Sequence, residues 1–456
     1  MISIMDSRIL DANSECLGVP VKSLMESAGK ALAEIIDSEC TGRTLIICGN
    51  GNNGGDGYTA AKFCKKDVTV ASFKKPKSPL CIEASNNIEY MPYEDVKLTD
   101  YDLIVDCVLG TGVEGNLRPE YTEYISSVNQ AGIKVISCDV PTGFGTETLV
   151  KSDITVTFHD IKEGMSQDNC GKIIVADIGI PVDAVETVNA GDFLRYPKSK
   201  KDSHKGQNGR LLIIGGGPYI GAPVSSALSA LRAGVDLVTI ATPKTSFAPI
   251  ASMSPAYMVK QLTSDVLCMD DIPLILKMSK NVDAVLIGPG LGLDEKTIDA
   301  VRELVQRLEI PTVIDADGIT AIANNIPRNK DLIFTPHSRE LKRLIDNPSD
   351  QSLYDFCSLY GTVVRKGPVD IIYCSSKSRK NHTGCPAMTV GGTGDVLSGI
   401  IAGLRSKGMD SFDAACLGTH ICGLAGERAF SEHSYGMTSV DVTNEIGHVL
   451  KERLHD

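Results

Sequence analysis

The 456-residue chain is long enough for two large α/β domains, and its 42% hydrophobic and 22% charged content is that of an ordinary globular protein. A net charge of −12 excludes a global nucleic-acid or anionic-membrane surface, and no apolar run approaches the roughly 20 residues needed to span a bilayer. The opening MISIMDSRIL lacks the apolar core of a signal peptide. The 14 cysteines include no C-x-x-C pair, and Cys48, Cys107 and Cys138 sit in apolar strand-like runs. That pattern predicts reduced, buried thiols in a cytoplasmic protein rather than disulfides or a zinc ribbon.

Hydrophobic spacing predicts helices over 5–16 and 22–38, the second carrying Leu24, Ala28, Leu32 and Ile35 on one face. Strands are predicted at 44–48, 67–71, 103–107, 134–138, 154–158 and 173–176, with helices such as 56–65 and 119–129 between them. Strands apolar on both faces that alternate with helices imply a parallel sheet covered on both sides. The first strand runs into GNGNNGGDG at 49–57, which contains G-x-G-x-x-G, but Lys74 and Lys75 stand where a ribose-binding acid is expected. The amides of Asn52 and Asn53 and the Asp56 carboxylate suit a hard cation or a sugar-like hydroxyl as well as a phosphate. The plainer alternative is a glycine-rich turn that caps the next helix. Asp106 closes another strand and leads into GTGVEGN at 110–116, and Asp139 and Thr142 follow the next in DVPTG. Ligands bind beyond the carboxyl ends of such strands. Asn53, Asp106, Asp139 and Thr142 are therefore expected at one site, with Asp106 a base or cation ligand rather than a turn residue.

GNGNNGGDG, DCVLGTGVEGN, DVPTG, TVTFHDIKEGM and LMESAG together resemble the NAD(P)H-hydrate epimerase domain over residues 5–185, with Ser27 where that family is expected to carry asparagine. The resemblance implies a Rossmann-like domain, set at 1–196, that binds hydrated nicotinamide nucleotide, NAD(P)HX. By matching position, Asn52, Asn53, Gly54, Gly55, Asp56, Gly110, Thr111, Gly112, Val113, Glu114, Gly115, Asn116 and Asp139 would contact substrate. Asn53, Asp106 and Thr142 would coordinate potassium, and Asp106 would shuttle the proton of the C6 hydroxyl.

The strand–helix rhythm then lapses, and PKSKKDS at 197–203 reads as an exposed linker. Strands at 210–214, 237–241, 284–287, 312–315, 332–334, 362–366 and 371–374, with a helix at 222–233, predict a second doubly wound domain over 204–456. Its loops GGGPYIG, GPGLG, IDADG, TPHSRE and KGPVD lie at strand ends. Asp315 and Asp317 could ligate magnesium or cap a helix, and His337 could sit at a helix start. TVGGTGDVLSGIIAG at 389–403 carries the strongest signal. A helix beginning at Gly394 or Asp395 turns its free N–H groups and dipole toward an anion. Asp395 is then either a general base or the helix N-cap.

HKGQNGRLLIIGGG, GPGLG, TPHSRE, KGPVD and TVGGTGDVLSGIIAG resemble the nucleotide-dependent NAD(P)H-hydrate dehydratase, with Val390 in place of an expected glycine. That resemblance implies a ribokinase-like fold in which Ala222, Gly290, His337 and Asp395 contact NAD(P)HX. Lys366, Gly367, Pro368, Val369, Asp370 and Gly394 would bind ADP or ATP with Mg2+, Asp395 acting as general base. The implied whole is a bifunctional NAD(P)HX repair enzyme that assembles as a homo-oligomer and binds neither nucleic acid nor membrane. The alternatives are a ribokinase-like small-molecule kinase with an added domain, and a first domain that only binds ligand.

Overall fold

The computed structural model describes residues 1–40, 42–112, 115–328 and 331–454. The chain divides into two units, Met1–Ala184 and Val185–Asp456. In the first, strands β1 (Thr44–Cys48), β2 (Val68–Ser72), β3 (Met91–Pro92), β4 (Leu103–Cys107), β5 (Lys134–Cys138), β6 (Ile154–Phe158) and β7 (Lys172–Ala176) form one sheet in the order β3-β2-β1-β4-β5-β6-β7. All neighbours are parallel. Alternate residues of β1 feed two apolar layers, Ile46 and Cys48 into one and Leu45 and Ile47 into the other. This two-sided burial explains why the strands read as continuous apolar runs. Strand order reverses between β1 and β4, opening a crevice at their carboxyl ends.

Helices α1 (Ile4–Cys16) and α2 (Val21–Glu39) match the predicted segments closely. Helix α3 does not: it spans Asn52–Phe63, capped by Gly51, so its start lies inside the stretch read as a glycine loop. Glycine argues against helix by propensity, but packing overrides it here. A Cβ on Gly54 would sit 2.1 Å from the Gly49 carbonyl oxygen, and one on Gly57 would sit 2.8 Å from Cys48 Sγ. The glycines let α3 lie directly on the strand ends, with Asn52, Asn53 and Asp56 in its first turns.

The second unit has strands β8 (Arg210–Ile214), β9 (Leu237–Thr242), β10 (Met258–Gln261), β11 (Ala284–Ile287), β12 (Thr312–Ile314), β13 (Leu332–Phe334), β14 (Gly361–Arg365), β15 (Asp370–Tyr373) and β16 (Ser378–Asn381). They order as β10-β9-β8-β11-β12-β13-β14-β15-β16. The run from β10 to β14 is parallel, and β15 and β16 add antiparallel at the edge. Here the order reverses between β8 and β11. The helix Thr393–Ser406 packs tightly on the helix Gly221–Arg232, because a Cβ on Gly399 would fall 2.3 Å from the Ser226 carbonyl oxygen. No helix among the described residues is long and apolar enough to cross a membrane.

The division at Ala184–Val185 precedes the boundary read from the sequence, which assigned residues up to 196 to the first domain. Segment 187–196 packs within the second unit instead. Thr187 bridges Lys380 beside β16, Phe193 enters the core, and the Tyr196 hydroxyl donates to the Ala233 carbonyl at 2.9 Å. The Arg379 guanidinium pairs with Asp192, the two side chains being 12% and 3% exposed. A stretch with no strand–helix rhythm gives no sign of which domain it joins, yet these side chains make it a strap of the second unit. Asp192→Ala leaves a buried guanidinium short of its counter-ion, and is expected to cost the second unit about 3–5 kcal/mol in urea unfolding.

Candidate active sites

In the first unit a cavity of about 460 Å³ opens at the carboxyl ends of β1, β4 and β5. Asn52, Asn53, Asp56, Gly110, Thr111, Gly112 and Asp139 all line it. Gly54 and Gly55 are buried under it within α3, and Gly115 and Asn116 are exposed in the loop beyond. Val113 and Glu114 lie outside the described residues.

Asp139 has left-handed backbone, φ 61°, an uncommon conformation for a residue other than glycine. Its carboxylate accepts an ion pair from Lys162 Nζ at 2.7 Å. Lys162 is 2% exposed and also donates to the Phe158 carbonyl at 2.7 Å and to Thr157 Oγ1 at 3.0 Å, so the ammonium is fixed in place. Next to it His159, with φ 67°, also faces the cavity. Burial, reinforced by the charge of Asp139, pushes the Asp56 carboxyl well above the usual range.

Asp106 is placed differently from the expectation that it shuttles a proton. It is fully buried, behind the cavity wall rather than on it. It accepts hydrogen bonds from the Tyr124 hydroxyl at 2.9 Å, the Ser137 hydroxyl at 3.1 Å, and the Thr142 hydroxyl and amide at 2.7 and 2.8 Å. Burial raises its pKa while these donors oppose the rise. Its oxygens are thus already bonded within the fold, and the acids on the cavity wall are Asp11, Asp56 and Asp139. Both side-chain atoms of Asn53 are buried without a hydrogen-bond partner. Such an orphaned amide calls for a ligand. It lies close to Gly110, whose Cβ, if present, would be 3.2 Å from Asn53 Cβ.

In the second unit the helix Thr393–Ser406 is capped by Gly392, whose φ of 95° is left-handed. Asp395 therefore occupies the first turn and is not the cap. No described residue donates a hydrogen bond to its carboxyl. Burial first, then the charges of Asp315 and Asp317, raise it to about 7 against the pull of Lys366. The Lys366 ammonium sits at the same helix end, 3.4 Å from where a Gly394 Cβ would be. It donates to Asp315 Oδ1 at 3.1 Å, which also accepts from the Thr335 hydroxyl at 2.7 Å. A helix N-terminus and an ammonium aimed at one point form an anion cradle.

The other predicted residues gather around this point. The Ser226 hydroxyl bridges the Asp395 carbonyl at 2.9 Å and the Ala222 carbonyl at 3.2 Å, joining the Ala222 helix to the GGTG helix. The GPGLG loop is held through Gly292, whose amide donates to Asp317 at 2.8 Å, while Gly290 takes a left-handed φ of 69°. His337 caps the helix Ser338–Leu344: its Nδ1 accepts from the Arg339 and Glu340 amides at 3.0 and 3.3 Å. That acceptor role places its ring proton on Nε2, on the exposed side. Of the KGPVD turn only Lys366 reaches inward; Gly367 and Pro368 are exposed, Val369 and Asp370 half-buried, and the Gly367 amide donates to Asp370 at 3.0 Å.

A family model for NAD(P)H-hydrate dehydratase matches residues 211–448, and one for the YjeF-related protein N-terminus matches residues 21–164. The bifunctional NAD(P)H-hydrate repair enzyme Nnr of Methanothermobacter thermautotrophicus is 38% identical, with 98% of this chain and 94% of that one covered. Its namesake in Archaeoglobus fulgidus is 36% identical, with 98% and 97% covered. The chain belongs to the bifunctional NAD(P)H-hydrate repair enzymes. Two solved structures bear on the fold of this repair enzyme's second unit. A ribokinase-like superfamily protein of Enterococcus faecalis aligns at TM-score 0.52 with 24% identity, covering 59% of this chain and 96% of its own. The ADP/ATP-dependent NAD(P)H-hydrate dehydratase of Bacillus subtilis, co-crystallized with ATP/Mg2+, aligns at 0.51 with 24% identity, covering 59% and 98%. The alternative of a small-molecule kinase with an added binding domain is not favoured by these relatives.

Sequence reading missed several residues that line the first cavity of this repair enzyme. Lys162 and His159 stand inside TVTFHDIKEGM, where a lone lysine beside an apolar strand was a usable signal. Ser7 and Asp11 of α1 line the first cavity, and only the polar turn on an otherwise apolar face of α1 hints at it.

The Asp395 carboxyl has a stability signature. Its folded pKa of about 7 exceeds the ordinary carboxylate value of 3.8, so the folded state binds more protons between those limits and stability falls as pH rises through that window. Asp395→Asn removes the penalty. The melting temperature of the variant should exceed that of the wild type at pH 8 and equal it near pH 3.5, as read by calorimetry.

Proposed function

We propose that this chain repairs NAD(P)HX in two steps. The first unit interconverts the R and S epimers at C6. The second dehydrates the S epimer to NAD(P)H at the expense of ADP or ATP, releasing AMP or ADP and phosphate. The observation that carries the reading is the unpaired Asp395 carboxyl in the first turn of the GGTG helix, beside the Lys366 ammonium. Phosphate repels a carboxylate at such a helix end, so the acid is there to act on a hydroxyl being phosphorylated.

In the second site Asp395 accepts the proton of the C6 hydroxyl as its oxygen takes the terminal phosphoryl group. Lys366 and the helix N-terminus stabilise charge on that group. The ring nitrogen lone pair then expels phosphate, a far better leaving group than hydroxide, leaving a nitrogen–C6 double bond, and loss of a C5 proton to the departing phosphate or to water forms the C5–C6 double bond of the reduced nicotinamide. His337 Nε2, Ala222 and Gly290 orient the substrate, and the turn containing Gly367, Pro368, Val369 and Asp370 receives the nucleotide. Among the described residues no group of three or more His, Cys, Asp or Glu could hold a metal ion. Magnesium would be carried on the nucleotide phosphates and held by one or two carboxylates, for which Asp315 and Asp317 are the candidates. It would neutralise phosphate charge.

In the first site the ring nitrogen expels the C6 hydroxyl and water returns to the other face. Asp139, held by Lys162, is the carboxylate that handles the proton. The orphaned amide of Asn53 supports a potassium ion there, which Asp106 and Thr142 would help hold once the hydrogen bond between them gives way; the ion would fix the substrate's oxygens in place. On this reading potassium matters to the first unit alone. Replacing it by sodium, or Asn53 by Ala, should slow epimer exchange at least tenfold and leave S-NADHX dehydration unchanged, measured by chromatography of the two epimers.

The reading itself is tested with NADHX and either ADP or ATP, following the absorbance of reduced nicotinamide. Recovery of NADH is expected with at least one nucleotide, and neither producing it sinks the assignment. Asp395→Ala should lower dehydration at least 100-fold and spare epimer exchange.

A further inference from the structure

Helix α1 offers two polar side chains to the first cavity, Ser7 and Asp11, one turn apart on the same face. Neither is satisfied within the fold. Ser7 Oγ is shielded from solvent and has no hydrogen-bond partner. The Asp11 carboxyl is partly buried, accepts no hydrogen bond and forms no ion pair with any described residue. Taking an unpaired carboxylate out of water is costly unless it is protonated or meets a ligand. Nothing in the packing of α1 requires an acid there.

The groups facing Asp11 define its chemistry. Asp139 comes from the end of β5, His159 and Lys162 from the loop after β6, Asp56 from α3, and Arg8 from α1 itself. Lys162 is committed to Asp139 at 2.7 Å and is not available to Asp11 as an ion-pair partner. Burial, then the charge of Asp139, moves Asp11 up to about 6, within reach of neutral pH, whereas Asp56 lies well above its usual range. A group that must give up and regain a proton in each turnover works best near the ambient pH.

We propose that Asp11 is the second catalytic carboxyl of the epimerase site, the proton donor that complements Asp139. This deepens the epimerase reading above and rests on it. Asp11 in its acid form gives its proton to the C6 hydroxyl as the C6–O bond breaks. The hydroxyl leaves as water, and the ring nitrogen lone pair forms a nitrogen–C6 double bond. Water then adds to the other face of C6, the double-bond electrons return to nitrogen, and the proton lost by that water passes to Asp139. The reverse epimerisation uses the same two carboxyls in exchanged roles. Ser7 Oγ, one turn away, is free to hydrogen-bond the water.

The test follows R to S exchange of NADHX by chromatography, with the full chain and no ADP, for wild type, Asp11→Asn, Asp11→Glu and Asp139→Asn. Asp11→Asn should slow exchange about 100-fold or more, and Asp11→Glu should restore part of the rate. Wild-type exchange should fall with rising pH along a limb set by the acid form of Asp11, and the residual rate of Asp11→Asn should lack that limb. Dehydration of S-NADHX with ADP should be unchanged in Asp11→Asn. Its melting temperature at pH 7.5 should be no lower than wild type, since an unpaired buried carboxyl has been removed. Wild-type exchange in Asp11→Asn, or slowed exchange that keeps the alkaline limb, overturns the role of Asp11. Absence of exchange in the wild type overturns the epimerase reading and this inference with it.

Discussion

A carboxyl group removed from water without a partner is expensive, and each unit of this chain keeps one at the mouth of its sheet. Asp395 lies in a helix first turn with no donor to its oxygens, and burial holds it near neutrality. Asp11 does the same on the wall of the first cavity. By contrast the carboxyls that do structural work are fully bonded. Asp106 is enclosed by hydroxyls and an amide, and Asp192 is locked to a guanidinium. Whether an acid is saturated or left wanting separates those that position groups from those that exchange protons.

The folds make this expense bearable by placing the unpaired acids where two chain directions part. Both sheets reverse strand order, between β1 and β4 and between β8 and β11, and both sites open over that crevice. Close glycine packing then brings helix ends up to the strand ends. Gly54 and Gly57 let α3 sit on β1 and β4, and Gly399 lets the GGTG helix sit on the Ala222 helix. A methyl group at any of these positions would push the helix end, and the groups it carries, away from the site. Left-handed backbone at Asp139, His159 and Ala316, all beside site residues, is strain retained at the same places.

Much of this was legible in the sequence because it depends on local pattern. Strands buried on both faces read as apolar runs, and β1, β4, β5, β8, β11 and β13 fall on the residues that the pattern predicts. Glycine-rich segments at strand ends marked both sites. Long-range packing was not legible. Gly54 and the residues before Asp56 read as loop because propensity cannot register the strand against which they pack. The 187–196 strap read as the tail of the first domain because its partners, Arg379, Lys380 and Ala233, are far along the chain. Asp106 read as a base because its type and strand-end position are those of a base. Only the hydroxyls of Tyr124, Ser137 and Thr142, from three separate segments, reveal that its oxygens are occupied.

The two sites also answer one chemical difficulty in opposite ways, which gives their pairing on one chain a physical logic. Hydroxide leaves C6 poorly. The first site assists it with a proton, so departure and return are both open and the outcome is an equilibrium between epimers. The second converts the oxygen to a phosphate ester, so departure is effectively one-way. A reversible step that supplies only equilibration needs carboxyls able to run in either direction, hence acids poised near the ambient pH and a cavity that admits water. An irreversible step needs a single base and a fixed anion cradle, the roles proposed above for Asp395 and for Lys366 with the helix end. Draining one epimer irreversibly pulls the other through the reversible site, so the second site need not accept both epimers for the whole pool to be repaired.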